Sequence, residues 1–112
     1  MADLGSLPGL PISLAEGINN KGQVVGFSQD ANDPNDSTPV AWLWQHGTMI
    51  DLNTVIPVDS PLFLMEALAI NDRGEIAGFG RLPDNPDDHR GFILTPCHSA
   101  HSGANDCGEN SK

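Results

Sequence analysis

Short apolar stretches alternate with polar turn sequences along most of this 112-residue chain. Two of the turns share the pattern Ile-Asn-(Asn/Asp)-(Lys/Arg)-Gly, at residues 18–22 and 70–74. An Asx residue opens such a turn and a glycine closes it with a positive φ, which is the usual build of a short hairpin loop with a bulge. The pattern therefore predicts strands that end at Ile18 and Ile70. Further strands are predicted at residues 23–28, 39–45, 48–52, 75–79 and 90–95.

The stretches between these strands are less regular. Residues 62–70 could form a helix when they are considered alone, but Pro11 and Gly17 occupy equivalent positions in the first half and disfavour a helix interior. A strand is therefore predicted there. Residues 29–38 and 80–89 are rich in Asp, Asn and Pro, and this composition favours exposed loops.

The strand and turn sequences occur twice in the same order. Residues 18–27 (INNKGQVVGF) return as residues 70–79 (INDRGEIAGF), with identical residues at five of the ten positions. Three further blocks match in the same order: residues 3–7 with 51–55, 33–36 with 85–88, and 41–44 with 91–94. The match of 33–36 with 85–88 has the same register as the first block. We therefore predict one all-β domain of two tandem four-stranded antiparallel repeats of about fifty residues, at about 1–50 and 51–96. A tail with two cysteines follows at residues 97–112.

The second repeat lacks a sequence for its fourth strand, because Thr95 and Pro96 interrupt the pattern after Leu94. Residues 2–4 have the sequence of the missing strand. An N-terminal strand that completes the last repeat is how ring-like repeat folds close. The repeats are therefore predicted to be propeller-blade-like, or to pack as a small sandwich or barrel. Two blades cannot close a ring, so the propeller arrangement requires a homo-oligomer.

These blocks resemble the HAF-type extracellular repeat of secreted bacterial proteins. The resemblance rests on Asp-Leu-Gly-Ser-Leu at residues 3–7, Ala-Glu-Gly-Ile-Asn-Asn-Lys-Gly-Gln-Val-Val-Gly at 15–26 and Val-Ala-Trp-Leu-Trp at 40–44. Residues 56–59 depart from it, because they replace the glycine pair of the pattern. The resemblance implies an extracellular or cell-surface β-repeat protein without an assigned activity. No signal peptide is visible in this chain.

The charge balance narrows the range of partners. The chain has 15 Asp and Glu residues against 5 Lys and Arg, for a formal net charge of −10. Such a surface repels phosphate groups, so we predict no binding to nucleic acid. No apolar run approaches the roughly 20 residues of a membrane span. A second copy of the chain or an unidentified ligand remains as a partner.

The only two cysteines, Cys97 and Cys107, flank a short polar segment. A disulfide between them is the natural expectation in an oxidising compartment, and would stabilise the tail by roughly 2.8 kcal/mol on the chain-entropy model. A zinc site is the alternative, because His98 and His101 would complete a tetrahedral set with the two thiolates. Two free thiols are the third possibility.

The acidic segments contain oxygen ligands of the kind that calcium prefers. Neither segment has the glycine and distal glutamate spacing of an EF-hand, and Asx residues are also typical of solvated turns. The candidate calcium ligands are Asp30, Asp33, Asn35, Asp36, Asn85, Asp87 and Asp88.

Trp42 and Trp44 share one face of a predicted strand, because they lie two residues apart. If exposed, they would form a stacking platform for a sugar or an apolar ligand. Their counterparts in the second repeat, Phe92 and Leu94, keep the apolar character but lose the aromatic pair. This exchange is more typical of core positions than of a binding site.

Enzyme signatures are absent from the sequence: there is no nucleophile elbow, no phosphate-binding glycine loop and no His-Glu-x-x-His motif. Asp87, Asp88 and His89 form one compact titratable cluster, which with His46 could support acid–base or metal chemistry. The sequence therefore favours a secreted or cell-surface module that acts by binding or self-assembly. A small metal-dependent or acid–base enzyme is the alternative, and a fragment of a longer repeat array is a third reading.

Overall fold

A computed structural model of the protein describes residues 3–30, 38–57 and 60–96. These residues form strands β1 (Ile12–Ile18), β2 (Val24–Gln29), β3 (Val40–Gln45), β4 (Thr48–Asp51), β5 (Phe63–Ile70), β6 (Ile76–Leu82) and β7 (Asn85–Leu94). One turn of 3₁₀ helix at Leu52–Thr54 follows β4. The described residues contain no α-helix, so the all-β prediction is confirmed. The stretch that was ambiguous between helix and strand forms β5.

The strands form two antiparallel sheets, with strand orders β1-β2-β3-β4 and β5-β6-β7. The prediction of four-stranded repeats is therefore wrong for the second sheet, which has three strands among the described residues. Thr95 and Pro96 follow β7, and proline has no backbone N–H with which to continue a strand ladder. The two sheets do not close into a barrel.

The hairpins β1–β2 and β5–β6 have the same register from Leu14 and Glu66 to their turns, and β5–β6 has a further register shift between Leu64 and Glu66. Ile18 pairs with Val24 in the first, and Ile70 pairs with Ile76 in the second. Each hairpin has a register shift at the same place, where Glu16 and Leu68 are the extra residues of a bulge. The hairpins β2–β3 and β6–β7 also correspond, because the pairs that contain Trp42 and Trp44 match those that contain Phe92 and Leu94. We call residues at the same place in these ladders register-equivalent.

Strand β5 joins the two sheets, because it lies across β1, β2 and β3 of the first sheet. The main hydrophobic core fills this crossing, and its buried side chains come from both sheets and from the 3₁₀ turn. They are Val25, Ala41, Leu52, Leu64, Ala67, Ile70 and Ile76. The opposite face of the first sheet carries a second, smaller cluster of Leu7, Val24 and Trp42.

The N-terminal residues do not form the strand that was expected to complete the last repeat. Residues 3–11 contain no strand, and β7 pairs with β6 alone among the described residues. Gly5 and Gly9 have positive φ values of 85° and 78°, which interrupt an extended conformation. Leu7 instead packs on the face of the first sheet, and its N–H donates to the buried Ser28 Oγ over 3.4 Å.

The prediction of a loop at residues 80–89 is also wrong. β6 continues to Leu82, and β7 begins at Asn85 opposite it, so only Pro83 and Asp84 form the turn. Proline suits the second position of such a turn because its fixed φ matches it. The next ladder pair joins Arg81 to His89, so residues 86–88 form a bulge within β7 rather than a loop.

Candidate binding surface

Several of the residues selected from the sequence lie outside the described part of the chain. The disulfide pair and the zinc set, at residues 97–107, belong to this group, as do the calcium candidates Asp33, Asn35 and Asp36. The remaining acidic candidates lie on different elements, since Asp30 follows β2 and Asn85, Asp87 and Asp88 lie in β7. In the described ranges, no three His, Cys, Asp or Glu side chains come together as a set that could hold a metal ion.

The titratable cluster on β7 interacts with its neighbours in the chain. Arg90 donates from Nε and Nη2 to the two carboxylate oxygens of Asp88, over 2.8 and 2.9 Å. These hydrogen bonds hold the pKa of Asp88 below its usual value. The His89 ring stacks on Phe79 with its centroid 5.8 Å away. His46 lies in the exposed turn between β3 and β4.

The tryptophan pair is largely covered. Trp42 is 1 % exposed and lies in the cluster with Leu7 and Val24, while Trp44 is half-buried against the same cluster. The Trp42 indole N–H is buried and has no hydrogen-bond partner in the described region. Trp42 therefore offers no ring face on which a ligand could stack.

The two Asn-Gly turns contain the same hydrogen bonds. Asn19 Oδ1 accepts from the N–H groups of Lys21 and Gln23, both at 3.0 Å. Asn71 Oδ1 accepts from Arg73 and Glu75 at the same distances. Each asparagine also donates from Nδ2 to the side chain four residues later, over 2.7 and 2.8 Å. Gly22 and Gly74 close the turns with φ values of 78° and 82°.

The two turns are also bonded to each other. Asn19 Nδ2 donates to the Asn71 carbonyl oxygen over 2.8 Å. Asn20 donates its backbone N–H and its Nδ2 to the two oxygens of Asp72, each over 2.9 Å. The backbone hydrogen bond is the main reason why the pKa of Asp72 lies below its usual value. The two sheets are thus joined by hydrogen bonds between their turns at one end, next to the apolar core that lies between them.

A glycine lies opposite an aromatic ring in each sheet. Gly26 pairs with Trp42, and Gly78 pairs with Phe92. A Cβ atom on either glycine would lie 2.9 Å from that ring and would also collide with a carbonyl oxygen of the preceding strand. Both positions therefore require glycine because the backbone and the ring approach closely.

One face of the second sheet remains open. Ala69, Ala77, Gly91 and Ile93 are exposed on it, and Ile93 is 72 % accessible to solvent. A shallow pocket of ≈ 270 Å³ lies between Ala69, Ala77 and Ile93. We call these four residues the open face. The sequence does not indicate that these residues form an exposed surface, because alanine, glycine and isoleucine at these positions look like ordinary strand residues. Their exposure depends on how the two sheets stack.

Comparison with known proteins gives no match to a family model, to a curated protein or to a solved structure. The similarity to the HAF-type repeat therefore stays a prediction. Among the residues described, none forms a helix of the length and apolar character that a membrane crossing requires.

Proposed function

We propose that this chain is a β-repeat module of two units, at about residues 1–50 and 51–96, which acts by assembly through its open face and not by catalysis. The observation that carries the proposal is the agreement between the two sheets. From Leu14 and Glu66 to the turns, β1–β2 and β5–β6 share their register and one bulge position, and the Asn-Gly turns share their hydrogen bonds. Two unrelated hairpins would not reproduce all of these features.

The unit stacking supports a propeller-blade-like arrangement more than a sandwich. Each unit places its first strand against the face of the unit before it, as β5 does on β1–β3. A stack of this kind buries both faces of every internal sheet and leaves a free surface at each end. The open face is the apolar part of the free surface of the second unit.

The enzyme alternative has no comparable support. Asp88 accepts a hydrogen bond from Arg90, and His89 stacks on Phe79. A catalytic acid–base pair needs a partner within hydrogen-bond reach and a site for the substrate.

Sedimentation velocity from micromolar to millimolar concentration tests the proposal. We expect the weight-average mass to rise with concentration, and we expect Ile93→Glu to abolish the rise while leaving the far-ultraviolet circular dichroism unchanged. A wild-type chain that stays monomeric throughout this range, or that purifies with a stoichiometric transition metal, would refute it.

The extracellular or cell-surface location is a further part of the proposal and rests on the sequence resemblance. An oxidising compartment would join Cys97 to Cys107. Thiol titration of the secreted protein under denaturing, non-reducing conditions should find no free thiol. Two free thiols would argue against this location.

A further inference from the structure

We infer that the open face binds strand β1 of a second copy of this chain, in the arrangement that β5 has on the first sheet. This inference rests on the proposed function and specifies its partner and its geometry. The contact is heterologous, because one copy contributes its second sheet and the other contributes its first strand.

In the first sheet, the face equivalent to the open face is covered by β5. Val25 and Ala41 are fully buried beneath β5, and Leu43 packs against the same core. Their register-equivalents in the second sheet are Ala77, Gly91 and Ile93, which are all exposed. The open face therefore presents the positions that the first sheet uses to bind β5.

Strand β1 presents the other half of the same contact. Ile70 and Ala67 of β5 are buried in the crossing, at 9 % and 0 % exposure. Their register-equivalents in β1 are Ile18, which is 69 % exposed, and Ala15, which is also exposed. The two-unit chain thus has a free copy of each partner surface, one at each end.

The bulge residue of β5 and a ladder-paired residue of β1 add a second apolar pair. Within the chain, Glu16 of β1 raises the pKa of Glu66 of β5, in addition to the larger effect of burial, so these two carboxylates lie near each other. Their register-equivalents are Leu68 and Leu14, which are exposed. Between two copies, the like-charged pair is therefore replaced by two leucines.

These positions account for most of the exposed large hydrophobic side chains in the described region. Leu14 and Ile18 lie on β1, while Leu68 and Ile93 lie on the second sheet. Among the exposed large hydrophobic side chains of the described residues, only Val55 lies neither on β1 nor on the second sheet. Exposed apolar residues that occur in two complementary groups are typical of an interaction site rather than of scattered surface positions.

The Asn-Gly turns continue the contact with hydrogen bonds. Within the chain, the Asn20 N–H donates to Asp72 Oδ1, and Asn19 Nδ2 donates to the Asn71 carbonyl. Between copies, the register-equivalent donors are the Asp72 N–H and Asn71 Nδ2. The second copy offers Asn20 Oδ1 and the Asn19 carbonyl as acceptors, so each donor meets an oxygen.

One residue makes the second contact slightly wider than the first. Gly17 lies so close to β5 that a Cβ atom on it would be 3.0 Å from the Leu68 carbonyl oxygen. The open face has Ala69 at the equivalent position. Its methyl group requires β1 of the second copy to lie a few tenths of an ångström farther out, which weakens the contact without preventing it.

Two half-blocked variants test this geometry. Ile18→Glu removes the β1 surface and Ile93→Glu removes the open face, so each variant alone should lose all oligomer in sedimentation velocity. An equimolar mixture should form a one-to-one heterodimer and nothing larger, because only one intact surface of each kind remains. Val55→Glu is the matched control, since Val55 is 61 % exposed and lies outside both surfaces. It should assemble as the wild type does.

The outcomes separate the inference from the proposed function. If the wild type assembles but the mixture stays monomeric, or if Ile18→Glu alone still assembles, the heterologous contact is wrong and assembly itself stands. A wild type that is monomeric at every concentration overturns both. The two variants have the same mass, so one of them is labelled with ¹⁵N. Native mass spectrometry of the mixture then identifies the heterodimer by its content of one labelled and one unlabelled chain.

Discussion

Substitution of Gly26 by alanine should destabilise the protein strongly. The new Cβ atom would lie 2.9 Å from the Leu14 carbonyl carbon and from Trp42 Cζ2, and closer still to the Leu14 carbonyl oxygen. Non-bonded carbon atoms are most stable at about 3.5–4.0 Å. Because Leu14 presents backbone atoms and Trp42 is fully buried, neither neighbour can move away without breaking other contacts.

The expected loss of stability follows from the contacts that the new methyl group would break. If β1 moves away from β2, the ladder around the Ala15–Gly26 pair loses about two hydrogen bonds, each worth about 1 kcal/mol. Displacement of the Trp42 ring adds an overpacking cost of about 1–3 kcal/mol. We therefore expect Gly26→Ala to reduce the free energy of unfolding by about 3–5 kcal/mol, a large part of the total for a domain of this size.

Equilibrium unfolding in urea, followed by tryptophan fluorescence at low protein concentration, measures this loss. Gly91→Ala is the matched control, because the nearest atom to its added Cβ is the Gly78 carbonyl oxygen at 3.7 Å. The first sheet already has Ala41 at the equivalent position. The control should change stability by less than about 0.5 kcal/mol. Equal midpoints for the two variants would refute the close approach at Gly26, and a Gly26→Ala chain that fails to fold would support it.

Three further substitutions test individual contacts. Asn53→Ala removes both hydrogen bonds to the backbone of the buried Leu64, at 2.8 and 3.0 Å, and should cost about 2–4 kcal/mol in urea unfolding. Glu66→Gln should raise the melting temperature at neutral pH, because burial and Glu16 raise the pKa of Glu66; the gain should vanish below about pH 4.5. The pKa of Asp72 is lowered on folding, so its carboxylate stabilises the wild type at neutral pH, and this contribution is lost as pH falls below 3.8. Asp72→Asn should lack this pH-dependent contribution to stability. A pH-independent difference would contradict either charge prediction.

Much of the fold could be predicted from the sequence because the two halves constrain each other. Residues 63–70 are compatible with a helix, and only comparison with Pro11 and Gly17 indicates a strand. The paired positions of Trp42 with Phe92, and of Trp44 with Leu94, also follow from the block alignment and agree with the strand register.

The remaining features depend on contacts between distant parts of the chain. Asp3 and Leu4 have the sequence of a fourth strand, but Gly5 and Gly9 turn the segment so that Leu7 reaches the first sheet. The hairpin turn at Leu82–Asn85 could not be predicted, because the Asp, Asn and Pro residues around it are typical of loops. Local patterns report turn chemistry and strand faces, but they do not report which surface covers a given face.

The same limitation applies to the open face. Ile18 and Ile70 are identical residues in nearly identical local sequences, yet one is exposed and the other is buried. The difference arises because β5 has a sheet beneath it and β1 has none. Comparison of the two repeats identifies both surfaces only when their order is considered. The first repeat has no repeat before it in this sequence, and the second has none after it.

The composition of the open face indicates the strength of the contact it can make. Three of its four residues are glycine or alanine, so the apolar area available for burial is small and resembles that of a weak, reversible interface rather than an obligate one. Each copy also carries a formal net charge of −10, so two copies repel each other. Salt at 0.1 M screens such repulsion beyond about 10 Å but leaves apolar contacts in place. Added salt should therefore strengthen this association, whereas it would weaken an association that depended on opposite charges.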